Sequence, residues 1–487
     1  MIWKIDNNRT TPTDDGTLMM HMGTLLSKLP GLYQKIRASK PDVFTRAEFS
    51  SQPVTPAKAS PFRRKAKSGP VEEITDPTPT EALESIQPIV KTQEMVHAEW
   101  ATAALNKLSI PCPDPTLEDR IRDTHRNTAL RLVRQEDWDK LTSLIQAADS
   151  VNKMTPGGMS VAELMAFGAR ADVVLAVEHA LLDRVPAEDA PMLSGIEALE
   201  FILAENTGNY VIACIVAQAH MDMAWSWRGI GWDVEVAPRN REAFDAHFAR
   251  AREIVESLNG EPRQSALVAS TSCALLRGEK CQSRSVADRY QALIDLNPHN
   301  TGPLRALGTH MLPRWYGSYA GLELEARRTA VRTQSVWGAG GYTWVMFDAI
   351  SVDDEACARL DLPFFLEGLR DIIERRPEPH TINLLAAYCS NTMGQAFSGN
   401  DAADHIRAQI AACANWIVRE HLTELHPMIW AHAAQGFVNN LRVASAHRFA
   451  ASGQEDALRI IASLFKPEIS EGKRITFTDE GPVATAG

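Results

Sequence analysis

Ionisable side chains inside apolar helices are the first places to look for chemistry, because a charge removed from water must be paired or put to use. Glu178-His179 stands in the apolar run 160–182, and Gln218, His220 and Asp222 stand in a second run, 208–228. Gln218, Asp222 and Trp225 share one helical face, whereas His220 turns towards Ala224 and Trp227. Two readings follow. The groups hydrogen-bond to one another as a structural network, or burial tunes Glu178, His220 or Asp222 as a general acid or base. A further constellation is His421, His426 and His432, with His447 beyond. Their spacings of five and six put them on different helical faces, so no metal site is expected. Gly338-Ala339-Gly340-Gly341 has the glycines of a phosphate loop without a preceding strand and reads as a break between helices. Ser150-Val151-Asn152-Lys153 fits SxxK, but its companion motifs are missing. GxxxxGK[ST], HExxH, GxSxG and paired Cys/His zinc spacings are absent, and no cofactor is implied.

The elements that must position these groups are helical. Asp114-Pro115 offers a capping residue followed by proline, and the stripe Leu117, Ile121, His125, Thr128 and Leu132 then descends one face. Trp138, Leu141, Leu144 and Ile145 supply the returning helix of a hairpin. Residues 160–182 are apolar nearly all round, as in a helix with neighbours on several sides. Further helices are expected at 193–206, 208–228, 240–259, 264–277, 284–296, 301–311 and 318–336. The series continues at 341–350, 361–375, 381–397, 402–420, 427–450 and 454–464, and Arg474 to Thr478 is the lone strand-like stretch. Glu253–Pro262 and Arg289–Pro298 each end a helix in a polar turn closed by proline, 36 residues apart. That recurrence predicts an all-α fold: a tetratricopeptide-like helical-hairpin solenoid with degenerate repeats.

Composition sets the outer limits. The 487 residues carry a net charge of −11 and are 45% apolar, the balance of a globular protein. Charge is uneven. Residues 1–70 hold 12 basic and 5 acidic side chains (+7), which leaves −18 on the other 417. An acidic body argues against nucleic acid as partner and in favour of a basic protein segment. Seven prolines between Pro41 and Pro79 mark a linker, with the basic run Arg63–Lys67 inside it and a more apolar segment, 18–36, before it. The expected organisation is a flexible, disordered N-terminal tail (1–87), a helical domain (88–350), further hairpins on the same stack (351–466) and a C-terminal tail (467–487). Membrane contact is expected only through the N-terminal tail. The scattered Cys112, Cys214, Cys273, Cys281, Cys357, Cys389 and Cys413 contain no CxxC pair and read as reduced thiols. With no basic-then-apolar leader and no span of about 20 apolar residues, a cytoplasmic location is expected.

Two motifs stand apart from the generic helical pattern. They are Ala224-Trp225-Ser226-Trp227-Arg228-Gly229-Ile230-Gly231-Trp232 and Leu312-Pro313-Arg314-Trp315-Tyr316-Gly317-Ser318. Together they resemble an uncharacterised bacterial family of tetratricopeptide-like helical proteins, a domain of unknown function, over roughly residues 115–350. That family pairs an alanine-tryptophan, arginine-glycine, glycine-tryptophan motif with a later proline-arginine-tryptophan-glycine-glycine-serine motif. Here Tyr316 stands where the family has its first glycine, so a differently shaped turn is expected. The resemblance implies an architecture and no established activity. From the residues themselves, Arg228 stacking on Trp225, with Gly229 stopping the helix, and Arg314 stacking on Trp315 would join neighbouring hairpins. Alternatively, Trp225, Arg228, Trp232, Arg314 and Trp315 line a site for a carboxylate, phosphate or peptide.

Two functions fit. One is a non-catalytic interaction scaffold that holds a peptide or helix in the groove of a helical repeat, with the basic tail a candidate occupant. The other is an enzyme or small-ligand-binding protein with a buried pocket near Glu178, His220, Asp222, Arg228 and Trp232.

Overall fold

Many of the helices begin where a side chain supplies an acceptor for their first free amides. The computed structural model describes residues 104–182, 193–229, 235–258, 264–278, 283–437, 443 and 445–486. The tail expected over 1–87 therefore lies outside the described residues, as do Trp232 and Cys281. Helix α1 (Leu117–Arg134) starts at Thr116, not at Asp114-Pro115. Thr116 Oγ1 accepts from the Asp119 amide and the Asp119 carboxylate accepts from the Thr116 amide, a reciprocal cap that Asp114 does not make. Asp137 caps α2 (Trp138–Ser150), and α3 (Val161–Leu182) and α4 (Ser194–Glu205) follow. Asn209 caps α5 (Tyr210–Arg228), which ends on Gly229 at φ 70°. Next come α6 (Pro238–Ser257), α7 (Ala266–Leu275), α8 (Ser283–Leu296), α9 (Thr301–His310) and α10 (Tyr319–Arg332). The rest are α11 (Gln334–Trp337), α12 (Gly340–Val352), α13 (Asp354–Ala358), α14 (Leu362–Arg375), α15 (Pro379–Ala387), α16 (Asp401–His421), α17 (Pro427–Ala433), α18 (Ala446–Leu464) and α19 (Lys466–Ser470).

The described chain is mostly helical, with corrections in detail. The helix expected over 427–450 stops at Ala433, because Gly436 and Phe437 adopt positive φ values of 66° and 53°, and α18 starts afresh at the Ser445 cap. The helix expected over 318–336 divides at Thr333, and the one over 381–397 passes into a π-helical turn at Tyr388–Met393. On α1, Leu117 is exposed and the inward face carries Glu118, Ala129 and Leu132. Arg474–Thr478 (β2) is not a lone strand: it pairs parallel with β1 (Leu108–Ser109) and antiparallel with β3 (Gly481–Thr485).

Neighbouring helices pack closely enough to need glycine at two crossings. A Cβ on Gly168 of α3 would lie 2.3 Å from the Arg126 carbonyl of α1, and one on Gly308 of α9 would lie 1.7 Å from the Val345 carbonyl of α12. Several of the largest buried side chains, Trp344, Tyr342, Phe347, Phe365, Tyr388 and Trp430, join α12 to the helices that follow it. The chain also returns on itself. Leu108 is in register with Ile475, the Leu425 amide donates to the Pro111 carbonyl, and Arg376 Nη2 donates to the Pro156 carbonyl. Buried carboxylates fix these returns. Glu118 accepts from Thr155 Oγ1 at 2.6 Å and from the Gly157 amide at 2.7 Å, which holds the 155–160 turn. Asp149 of α2 accepts from Ser265 Oγ and the Leu267 amide at the start of α7. No helix among the described residues is long and apolar enough to cross a membrane.

Candidate functional site

Helix α5 is buried along most of its length, Val211 to Ala219 without interruption, so its polar groups must find partners inside the protein. They do so on two sides. On one side His220 Nε2 lies 2.8 Å from Glu200 Oε1 of α4, and His220 Nδ1 lies 2.9 Å from His247 Nδ1 of α6. Arg250 of α6 closes the group with Nε and Nη2 on the two Glu200 oxygens, each at 2.7 Å. Burial opposes ionisation of Glu200, yet the hydrogen bonds from Arg250 and His220 overcome it and bring its pKa down to about 2. Burial, then the facing His220, pushes His247 down to about 3. His247 is therefore neutral at neutral pH, and one proton is shared along the Nδ1–Nδ1 line. Glu200, His220 and His247 are all buried. This knot ties three helices together.

On the other side, Gln218 and Asp222 face a cleft of about 320 Å³. Its walls come from distant parts of the chain: the 157–160 turn, α3, α5, α7 with the turn after it, α8, the start of α9, and α15. Gln218 Nε2 donates to Thr271 Oγ1 at 2.8 Å. Asp222 Oδ2 accepts from Arg170 Nε of α3 at 2.7 Å. Arg170 is only 4% exposed, and its Nη1 has no hydrogen-bond partner. Arg305 of α9 also lines the cleft but gives both nitrogens of its fork to Asp348, at 3.0 and 2.6 Å, and lies over the Phe347 ring. Tyr290 Oη is 2.8 Å from His310 Nδ1. Burial, then Arg277, takes His310 to about 3, so the neutral imidazole accepts and the tyrosine donates. Burial pushes the Cys273 thiol up to about 12, and Sγ donates to the Arg289 carbonyl, which leaves no thiolate nucleophile there at neutral pH. His380 is held below the ordinary histidine range by burial, then by His426 and Arg122.

The candidates from sequence are thus divided among several places. Asp222 lines the cleft, and His220 points away from it into the knot. Glu178 accepts from Ser226 Oγ at 3.4 Å and does not line the cleft. Trp225 meets Phe244 edge-on at 5.2 Å, and Arg228 lies over Trp225 at 5.6 Å. Arg314 is exposed and does not stack on Trp315, whose ring instead meets His310 edge-on at 6.1 Å. In the turn after α9 the Tyr316 hydroxyl donates to the Leu276 carbonyl, while Gly317 passes too close to the Met311 carbonyl for any Cβ. Asp371 accepts from the Ala339 amide, so the glycine-rich break already holds a carboxylate. His426 pairs with Glu424 and His432 packs on Phe449, and His421 stands against Trp416. No group of three or more His, Cys, Asp or Glu among the described residues is arranged to hold a metal ion.

Sequence reading missed Arg170, Glu200, His247, Arg250 and Arg277. Arg170 left a signal, an arginine inside the run Leu164–Ala171, and the others sit on amphipathic helices or turns where charge is ordinary. No family model, no curated protein and no solved structure matches this chain.

Proposed function

We propose that this protein is a binding scaffold in which helical hairpins, stacked in the tetratricopeptide manner, hold a short peptide segment in the cleft beside α5. The observation that carries this reading is the cleft itself, about 320 Å³ with walls from six helices and two turns. Apolar Leu164, Met221, Leu293 and Leu384 stand beside polar Ser160, Ser270 and Thr301 in its lining, the mixture that suits main chain and side chains together. The two motifs support the same architecture, since Trp225 stands in the last turn of α5 and Trp315 in the turn between α9 and α10. The acidic balance outside residues 1–70 favours basic residues flanking whatever segment occupies the cleft.

A second reading, a small-ligand pocket, is favoured by the cleft's volume, which falls at the low end of the roughly 300–1,000 Å³ usual for small-molecule sites. Selection from a random peptide library against the full chain tests the scaffold. The expected result is a saturable peptide family whose binding is lost in Ala306→Trp and Ala274→Trp, both of which fill the cleft, with helical circular dichroism intact. Peptides that bind those variants as well as the wild type would place the site elsewhere.

A further inference from the structure

Among the described residues, Arg170 is the one lining the cleft that has a buried side-chain nitrogen without a hydrogen-bond partner. A guanidinium has five N–H donors and keeps its charge at any ordinary pH. Of these, Nε is spent on Asp222 and Nη1 is buried without a partner. Arg305, on the same cleft, by contrast gives two nitrogens to the two oxygens of Asp348 and has none buried without a partner. Arg122 and Arg407 also keep an unpaired Nε, but neither lines the cleft. Two more features surround the same space. Arg277, exposed on the Leu276–Gly278 turn, makes no hydrogen bond or ion pair among the described residues. The ten-residue helix α9 opens there; Asn300 Oδ1 takes its Gly302 amide and Pro303 has none, so the helix brings the positive end of its dipole to the lining and not a cradle of free amides.

We infer that the cleft seats the acidic group of its ligand, a carboxylate or a phosphoryl group, between Arg170, Arg277 and the first turn of α9, with Asp222 as the resident counter-charge. This rests on the cleft being the binding site proposed above and names the chemistry it recognises. Asp222 holds Arg170 in place while the site is empty and competes for its charge when an anion arrives. Five other ionisable groups line the cleft. Glu163 of α3 sets a limit on how much negative charge the ligand can carry, Arg305 is paired with Asp348, and Cys273, Tyr290 and His380 are neutral.

The test is calorimetric titration of the full chain with inorganic phosphate and, separately, with succinate, at ionic strength held constant with chloride. The expected result is a saturable one-site isotherm with at least one probe; phosphate alone identifies a phosphoryl site, and succinate alone or both a carboxylate-tolerant one. Asp222→Asn keeps an acceptor for Arg170 Nε and removes the competing charge, so it tightens binding about fivefold, whereas Arg277→Gln weakens it by a similar factor. Arg170→Met abolishes saturation if it folds, and the other two variants decide the matter if it does not. Absence of a saturable isotherm with either probe, or affinities unchanged in both Asp222→Asn and Arg277→Gln, would overturn the assignment. Anion binding that follows the variants without any peptide binding would leave the anion site standing and remove the scaffold. Peptide binding indifferent to Asp222→Asn and to competing phosphate and succinate would do the reverse.

Discussion

Helix α5 presents acid, base and amide groups on both of its sides, and the two sides end differently. Towards α4 and α6, the His220 ring has a partner at each nitrogen and both oxygens of Glu200 are taken by Arg250 and His220. Towards the cleft, Asp222 binds a single nitrogen of Arg170 and another is left over. A saturated buried network holds helices together and offers a ligand nothing. An unsaturated one at the edge of a cavity has an opening for a further group of complementary charge. Histidine beside glutamate attracts attention as a catalytic pair, yet here it is the bonded, buried pair and the structural one, while the plain arginine–aspartate contact borders the cavity.

The largest expected effect lies in the knot. Glu200→Leu leaves His220 Nε2 without its acceptor and Arg250 with only the exposed Glu253, and should cost about 3–5 kcal/mol in urea unfolding, the usual penalty for breaking a buried pair from one side. A cost below about 1 kcal/mol would show that solvent reaches the knot. The second effect is acid lability. His247 and His310 have folded pKa values near 3 against 6.5 unfolded, so the unfolded chain binds more protons between those limits. Stability is therefore fully present above about pH 6.5 and falls as the pH drops towards 3, by up to about 1.4 kcal/mol per pH unit for each such histidine. Glu200 adds loss of the same sign between its unfolded value near 4.5 and its folded value near 2. His247→Asn should flatten the upper part of that profile in unfolding measurements across pH; an unchanged slope would mean that His247 is protonated in the fold.

The third effect contrasts the two sides directly. Asp222, 26% exposed, can be changed to Asn at a smaller cost, about 1–2 kcal/mol, since the amide still accepts from buried Arg170 Nε and only the charge is lost. If Asp222→Asn destabilised the chain as much as Glu200→Leu, the two sides of α5 would be alike and the comparison would fail. The smallest effect is expected at Trp315. It is 45% exposed and lines neither the knot nor the cleft, so Trp315→Ala should cost less than about 1 kcal/mol and leave peptide affinity unchanged. A tenfold loss of peptide affinity would return the binding site to the Arg314-Trp315 turn.

Helical periodicity made most elements legible, because apolar spacing and polar caps such as Asn209, Asn300, Ser318 and Asn400 act over a few residues. The opposition of Asp222 and His220 on α5 was legible for the same reason. Breaks set by backbone conformation were not: Gly436 is tolerable in a helix by composition, and only its positive φ, with that of Phe437, ends α17 where it does. Nor were the strand partners of β2, since Leu108 and Ile475 are too far apart for any local pattern to pair them. The candidate site was half visible. Asp222 stood out as a charge in an apolar helix, but its partner Arg170 lies 52 residues earlier, and the cleft needs the returns at Glu118, Asp149 and Arg376 to bring its walls together.

The central claim, that ligand is held in the cleft and not on the tryptophan turns or the knot, can be put to hydrogen–deuterium exchange of the full chain with and without a saturating selected peptide. Protection concentrated in residues 157–164, 270–277 and 300–306, with 310–318 and 243–250 unchanged, is the expected pattern. Protection confined to 310–318 or to the helices around the knot, with the cleft segments exchanging as before, would contradict it.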